Sequence, residues 1–403
     1  MASVQGLNVL FLSASLPRSA SEGVDAVLVR RASELQRHCQ VVAVAPTPCA
    51  PAPLAWINPR WAAYARTPRW QLLEGVPVFY PRYLQFPGAW FAAPAALLMA
   101  LGASRLIARL KQDGRCDIIF AQSTFPDGLA GALLGRWFRL PLACLGRGTD
   151  INVFGHRTRL GRFLTAWIVR NAVGVSVVAH DLARSLETIV AMPEPPVVLY
   201  DGIDLDQFFP RDRIPARRRL RLAESSPTIL YVGRLVEGKG LPELVEAFAD
   251  VRARLRDAAL VLVGAGPLHH DLRERAQRLG VLPFVKLVGE RPYREIPEWL
   301  CAADCLALPS ETEGFPNIVR EALACGRPVV ATPVGDIPRV VSAQVGRLVP
   351  ARDAAALARA LVETLTYAWN AEVIRSIVSS MTWERNADET HAFLRRAVAL
   401  RDR

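Results

Sequence analysis

Lysine is nearly absent from this chain. Lys111, Lys239 and Lys286 are the only three among 49 basic residues, so the basic surplus is an arginine habit of composition as much as a sign of function. Any lysine set in a loop therefore carries weight. Cysteine is sparse and odd in number: Cys39, Cys49, Cys116, Cys144, Cys301, Cys305 and Cys325. Cys301 and Cys305 stand four apart with no second Cys or His pair to complete a zinc set, which excludes a zinc module. The scatter excludes a disulfide scaffold and reads as small buried apolar residues in a reducing compartment. No basic flank precedes the short apolar run Leu7–Leu12, so no signal peptide is expected. No short-period repeat and no low-complexity segment occurs. Neither half carries a complete dinucleotide glycine fingerprint, which argues against a dehydrogenase.

What is present is globular. The chain has 403 residues, 51% apolar and 22% charged, a length that favours two domains and can bury a large core without staples. The net charge is +11, of which residues 1–204 hold +7. Such a half suits a phosphate-rich or membrane-surface partner, or is a solvated basic face. No nucleic-acid partner is expected. Tyr83–Ser104 carries no charge and is flanked by Arg82 and Arg105. Its length could span a bilayer, but Pro87, Gly88 and Pro94 break its first half and alanine dominates the rest. A buried or interfacial helix is the preferred reading.

Short apolar runs alternate with helical patterns. Strands are expected at Asn8–Ser13, Gln40–Ala45, Val76–Tyr80, Cys116–Ala121, Leu142–Leu145, Gly174–Val178 and Val197–Tyr200. Helices are expected over Val24–Arg37 and from Leu129. Pro210 and Pro215 bracket the Arg-rich stretch Arg211–Arg221, which reads as a linker. The alternation restarts at Thr228–Val232 and runs to about Leu365. Two doubly wound α/β units in tandem imply a cleft, with ligands outside the carboxyl ends of the strands. The boundaries fall at 1–205 and 206–380, with a tail from about 381 to 403 left over.

Three stretches of the second unit carry chemistry. Gly233-Arg234-Leu235-Val236-Glu237-Gly238-Lys239-Gly240 ends a strand in a glycine turn with one Arg and one Lys, suited to a diphosphate. Gly264-Ala265-Gly266-Pro267 resembles half a dinucleotide fingerprint, but His269 stands at the third glycine position, so a packing turn is the better reading. Glu313-Gly314-Phe315-Pro316-Asn317-Ile318-Val319-Arg320-Glu321 sets two carboxylates eight apart across a loop-to-helix start. The helix's first amides suit an anion, and the carboxylates suit hydroxyls of a sugar or ribose.

These residues resemble the donor domain of a glycosyltransferase of family 4 with the two-domain GT-B fold. Glu313 through Glu321 is similar to the family's E-x7-E motif, and Gly233, Arg234 and Lys239 to its glycine–Arg…Lys element. Tyr200-Asp201-Gly202-Ile203-Asp204 resembles the family's Asn-Gly-Val-Asp junction, with Asp201 for Asn. Met381-Thr382-Trp383-Glu384 resembles its Trp-containing entry to a final helix that crosses back to the first domain. The resemblance implies that Arg234 and Lys239 bind the diphosphate, Glu321 the ribose and Glu313 the sugar. Amides around Gly314, Phe315, Asn317, Ile318 and Val319 would contact sugar and phosphate, and Glu290 and Arg291 would cradle the base. Lys239 and Glu313 also count among the catalytic residues.

The first domain departs from the pattern. Ser21-Glu22-Gly23-Val24 has one glycine where members often have two, and Gly23 is carried over as donor-binding. Phe120 and Gln122 stand where many members have histidines. Arg147-Gly148-Thr149-Asp150 replaces the family's His-Gly-x-Asp, leaving Arg147 and Asp150 as catalytic candidates. Arginine stays protonated and cannot act as a base, which fits a retaining mechanism in which the leaving phosphate assists the acceptor. His180 is a further candidate; His38, His156, His269, His270 and His391 read as surface or packing residues. The resemblance implies a cytoplasmic retaining enzyme that needs no metal or other cofactor. It would move a sugar from a nucleoside-diphosphate sugar to a glycan or lipid-linked acceptor in cell-envelope or exopolysaccharide biosynthesis. The basic first half together with the uncharged Tyr83–Ser104 stretch suits peripheral contact with an anionic membrane, at the inner face of the plasma membrane. The alternatives are a nucleotide-sugar epimerase on a similar fold and a nucleotide-sugar-binding protein without turnover.

Overall fold

The computed structural model describes residues 6–18, 26–49, 59–85 and 92–401. The chain divides into two units, Met1–Gly202 with Trp383–Arg403, and Ile203–Thr382. The sequence expectation sets its boundaries at 205/206 and 380/381.

The strands of the first unit are β1 (Asn8–Leu12), β2 (Gln40–Val44), β3 (Thr47–Cys49), β4 (Trp70–Leu73), β5 (Val76–Phe79), β6 (Arg82–Leu84), β7 (Ile118–Ala121), β8 (Leu142–Gly146), β9 (Gly174–Val177) and β10 (Val197–Val198). Eight form one sheet in the order β10-β9-β8-β7-β1-β2-β5-β4, and β3 pairs with β6 as a separate ribbon. Every pairing in the large sheet is parallel except β4 with β5. The central strands β7 and β8 are buried along their whole length, as continuous apolar runs covered on both faces must be. The hairpin strand β4 has no sequence signature: Trp70 and Leu72 are each about 60% exposed, so no alternation marks it.

Tyr83–Ser104 resolves into the end of β6 and the first part of the helix Ala92–Gln112; residues 86–91 lie outside the described set. Ala96, Met99, Ala100, Ala103, Ile107 and Leu110 of that helix enter the core of the unit. Among the described residues no helix is long and apolar enough to cross a membrane.

The final helix, Trp383–Arg401, belongs to the first unit and packs along the helix Ala26–Leu35. Phe393 meets Phe120 with ring centroids 6.3 Å apart. The junction preceding residue 203 is shaped for this return. A Cβ on Gly202 would lie 2.4 Å from the Cα of Trp383, so only glycine lets the two segments touch. Asn386 donates to the Tyr200 carbonyl at 2.6 Å, and Asp201 forms a buried ion pair with Arg31. The pairing with Arg31 accounts for an acid where the family pattern has Asn.

The second unit holds β11 (Thr228–Val232), β12 (Ala259–Val263), β13 (Val285–Gly289), β14 (Cys305–Leu308), β15 (Val329–Ala331) and β16 (Gly346–Leu348). They form a parallel sheet in the order β13-β12-β11-β14-β15-β16. Counted within the unit this is 3-2-1-4-5-6, which puts the topological switch point between β11 and β14.

The Arg-rich stretch read as a linker is instead a helix of this unit, Arg213–Leu220. Arg217 is 1% exposed. It donates to the carbonyls of Ala302 (2.9 Å) and Glu224 (2.6 Å) and to Asp304 (2.6 Å). Asp304 also accepts from the Thr228 amide at 2.6 Å. The helix buries only the small Ala216 and the charged Arg217, and so leaves no hydrophobic periodicity.

Candidate active site

In the second unit the motif residues converge at the switch point. The loop after β11 ends on Gly240, which caps the helix Leu241–Arg254 in a left-handed conformation (φ +64°). A Cβ there would lie 2.0 Å from the carbonyl oxygen of Pro309, so this glycine lets the loops after β11 and β14 press together. The Gly238 carbonyl accepts from the Glu311 amide at 2.8 Å, a second tie between them. Between the two ties, Lys239 Nζ donates to Glu313 Oε1 at 2.6 Å. Both side chains are mostly but not wholly buried, 21% and 13% exposed, so the pair lines a surface that solvent reaches. The loop after β15 supports the pair from behind, with the Asp336 amide donating to the Gly314 carbonyl at 2.8 Å.

Arg234 is exposed at the tip of the β11 loop, while its carbonyl accepts from the buried Tyr231 hydroxyl at 3.0 Å. Gly264-Ala265-Gly266-Pro267 packs beneath it. Leu235 N donates to Ala265 O at 2.9 Å, and Leu268 N to Leu235 O at 3.0 Å. This is the packing turn expected.

The helix Asn317–Ala324 begins after Pro316, and its first N–H groups lack partners within the helix by construction. Asn317 and Ile318 supply the first two. The Val319 amide turns back to the Pro316 carbonyl at 3.2 Å, so this expected ligand donor is already engaged. Phe315 is nearly buried beneath Arg320, whose guanidinium sits 4.6 Å from the ring centroid. Glu321, one turn into the helix, is 5% exposed and accepts from the Tyr293 hydroxyl at 2.8 Å. Burial, reinforced by the negative charge of Glu321, pushes the Tyr293 phenol well up from its ordinary value, so it stays a donor. Sequence reading missed Tyr293 because its partner lies 28 residues away. Glu290 and Arg291 are exposed in the turn after the edge strand β13, whose last residue, Gly289, accepts from the Gly264 amide at 2.9 Å.

In the first unit, Arg147 follows β8. Asp150 accepts from the Arg147 amide (3.0 Å) and the Gly148 amide (2.8 Å) with one oxygen, and from the Thr124 amide (2.7 Å) and hydroxyl (3.0 Å) with the other. Four donors fill the carboxylate. The geometry therefore makes Asp150 a positioning residue that ties the loop after β8 to the loop after β7, not a free acid or base. A second buried carboxylate, Asp127, was not legible in the sequence. It accepts from Ala14 N (2.9 Å), Ser123 Oγ (3.0 Å) and Ser13 Oγ (3.2 Å), and so ties the loop after β7 to the loop after β1. Burial pushes its pKa up to about 6 against the pull of those hydrogen bonds. His180 Nδ1 is 2.8 Å from the Tyr200 hydroxyl. Gly23 lies outside the described residues. Among the described residues no group of three His, Cys, Asp or Glu side chains could hold a metal ion.

Comparison with known proteins converges on one family. The family description "Glycosyl transferases group 1" matches residues 226–367, and "Glycosyltransferase Family 4" matches residues 21–207. The chain is 28% identical over 360 residues to the Bacillus subtilis (strain 168) glycosyltransferase TuaC, named for teichuronic acid biosynthesis, covering 88% of each chain. It is 32% identical over 279 residues to a GDP-mannose-dependent alpha-(1-6)-phosphatidylinositol monomannoside mannosyltransferase of Mycobacterium tuberculosis (strain CDC 1551 / Oshkosh). That match covers 64% of this chain and 66% of the relative. Among solved structures, sucrose-phosphate synthase from Thermosynechococcus elongatus superposes with a TM-score of 0.75 at 21% identity, covering 98% of this chain and 99% of that one.

Proposed function

The chain belongs to glycosyltransferase family 4, and from that premise we propose that it is a retaining enzyme using a nucleoside-diphosphate sugar as donor and a glycan or lipid-linked acceptor. It is a glycosyltransferase with the GT-B fold. The observation that carries the proposal is the Lys239–Glu313 contact at the switch point of the second unit, between the glycine turn and the start of the helix Asn317–Ala324. A diphosphate needs cations and free amides; a sugar ring needs a carboxylate to accept from its hydroxyls. Both sets meet here.

In this reading Arg234 and Lys239 offset the charge that grows on the departing diphosphate, in the place a divalent cation would otherwise take. Glu313 accepts from the donor sugar and Glu321, held by Tyr293, from the ribose. Gly314 and Phe315, with the amides of Asn317 and Ile318, bound the sugar and phosphate. The bond from the anomeric carbon to the phosphate oxygen breaks, and the bond to the acceptor oxygen forms on the same face. The acceptor's proton passes to the leaving phosphate oxygen, so no protein base is required. Arg147, its backbone fixed by Asp150, offers a permanent cation to sugar or phosphate. Glu290 and Arg291 flank the base. The relative named for GDP-mannose supports a nucleotide-sugar donor. Relatives named for teichuronic acid and for phosphatidylinositol monomannoside support a role in cell-envelope glycan or polysaccharide synthesis. Peripheral contact with an anionic membrane, at the inner face of the plasma membrane, is part of the same proposal and is drawn from the basic surplus of the first unit.

The test is a melting-temperature screen with UDP, GDP, ADP, CMP and NAD. A ligand specific to the folded state, at about 100 times its dissociation constant, adds roughly 2.7 kcal/mol. One nucleoside diphosphate should raise the melting temperature, and the anomer of the product, read by NMR, should match that of the donor. Turnover should persist in EDTA. A shift with NAD alone, or with none of the five, overturns the donor reading.

A further inference from the structure

Residues 151–180 of the first unit contain no Asp or Glu, while Arg157, Arg159, Arg162 and Arg170 all fall within them and all are exposed. The same stretch exposes large apolar side chains. Phe163 is 63% exposed and Leu160 58%, one turn apart at the start of the helix Arg159–Asn171. The opposite side of that helix is ordinary core, with Thr165, Ala166, Ile168 and Val169 buried. Leu160 and Phe163 thus form a second apolar stripe that the fold does not use.

The stripe is held rigidly. Thr158 caps the helix by accepting from the Gly161 amide at 2.9 Å. Phe154, just before it, stacks on Phe125 with centroids 3.7 Å apart. Around the stripe positive charge is in excess. Arg162 spends one N–H on the Thr188 carbonyl at 3.0 Å and keeps the rest of its guanidinium exposed. The neighbouring helix His180–Glu187 brings two carboxylates. Asp181 is paired with Arg184 at 3.2 Å, which leaves Glu187 against four arginines. His156 faces Ser185 at 3.0 Å. The helix Ala92–Gln112 packs against the same turn, Thr124–Gly128, as this helix does, and exposes Leu97 and Leu101.

We propose that the exposed stripe Leu160–Phe163, ringed by Arg157, Arg159 and Arg162, is the surface by which the first unit docks on an anionic bilayer. An aqueous surface gains nothing by presenting Phe and Leu together. A bilayer interface accepts both side chains at the level of the acyl boundary, while arginines placed around them reach the phosphate groups of anionic lipid. An acidic protein partner would also accept Phe, Leu and Arg, and it is told apart by the experiment below, since it would leave the chain unbound to lipid. The inference gives a place to the membrane contact proposed above and rests on that reading alone; the donor site is in the other unit and is tested separately.

The experiment is co-sedimentation of the full chain with vesicles of phosphatidylcholine alone or with one quarter phosphatidylglycerol. The wild type should bind the anionic vesicles at low salt, leave them at high salt, and ignore the neutral ones. Leu160→Asp with Phe163→Asp should lose binding at least tenfold. Arg157→Gln with Arg159→Gln should lose it about 30-fold, at close to 1 kcal/mol per arginine. Both double variants replace exposed side chains, so melting temperature and nucleotide binding should be unchanged. Failure of the wild type to sediment with anionic vesicles at low salt, equal binding to neutral vesicles, or variants that bind like the wild type would overturn the assignment. A failed nucleotide screen with intact vesicle binding would instead sink the donor reading and leave this surface standing.

Discussion

At the scale of the residue, the two candidate sites are built in opposite ways. In the second unit Lys239 and Glu313 meet at 2.6 Å where solvent still reaches them, so their remaining donor and acceptor capacity is available to a ligand. Removing either should therefore cost function more than fold. Glu313→Ala and Lys239→Ala are each expected to lower turnover by at least about 100-fold, the scale of losing one well-aimed polar group at a developing charge. Circular dichroism and melting curves should stay close to wild type. Full activity in either variant would refute the assignment. In the first unit Asp127 and Asp150 are spent on the protein itself. For Asp127 the sign of the pH effect follows from its raised pKa of about 6, against 3.8 for the ordinary side chain. The native state holds this proton more tightly than the unfolded chain does. Its contribution is thus complete below about pH 4, is lost as pH rises through about 6, and is flat beyond. Asp127→Asn keeps the shape and removes the titration. The difference in urea midpoint between wild type and variant should vary between pH 4 and 6 and level off above about pH 7. A difference that is constant across that range would show that the carboxyl does not titrate there.

At the scale of the element, loops dominate. The order of strands in the second unit places the β11 and β14 loops side by side, and Gly240 sets how closely they pack. Gly240→Ala puts a methyl group into the Pro309 carbonyl at a backbone angle that alanine avoids. The loops must separate, and Lys239 must move from Glu313. Nucleotide affinity should fall about tenfold or more while the sheet stays folded, with the loss read by titration calorimetry. Wild-type affinity would mean that the loop contact does not position the site. Much of this was legible in the sequence. A lone lysine among arginines, glycines at strand ends and carboxylates eight apart are local signals; Lys239, the glycines and Glu313 fall on loops and Glu321 falls in the helix that follows, as expected. What was not legible depends on partners far away in the chain. Tyr293 is tied to Glu321, Asp127 to Ser13 and Ala14, and Arg217 to Asp304 across 87 residues. The Arg211–Arg221 stretch read as a linker for that reason, and Asp150 read as catalytic because only the structure shows four donors on its carboxylate. The hairpin strand β4 escaped because its outward residues are as apolar as its inward ones.

At the scale of the whole molecule, the chain enters the second unit once and leaves it once, and its last helix closes the first unit. Trp383–Arg401 buries Trp383, Ala387, Phe393, Leu394 and Ala397. Phe393 also packs against Gly174, where an added Cβ would lie 3.0 Å from its ring. The first unit is therefore incomplete without residues that follow the second in sequence, whereas the second unit is continuous from Ile203 to Thr382. Deleting residues 383–403 should act on one unit only. The first unit loses several fully buried apolar side chains, each worth about 1.5–3 kcal/mol, on the order of its entire stability. The second loses no strand and none of Arg234, Lys239, Glu313 or Glu321. The truncated chain should show two separate transitions, with the first unit melting well below its wild-type temperature. Any nucleoside diphosphate that stabilises the full chain should still raise the melting temperature of the second unit. Transfer to an acceptor should be lost, because that step is proposed to need Arg147 in a folded first unit. Retention of transfer by the truncated chain would show that the closing helix is dispensable, and loss of nucleotide binding would show that the donor site is not confined to the second unit.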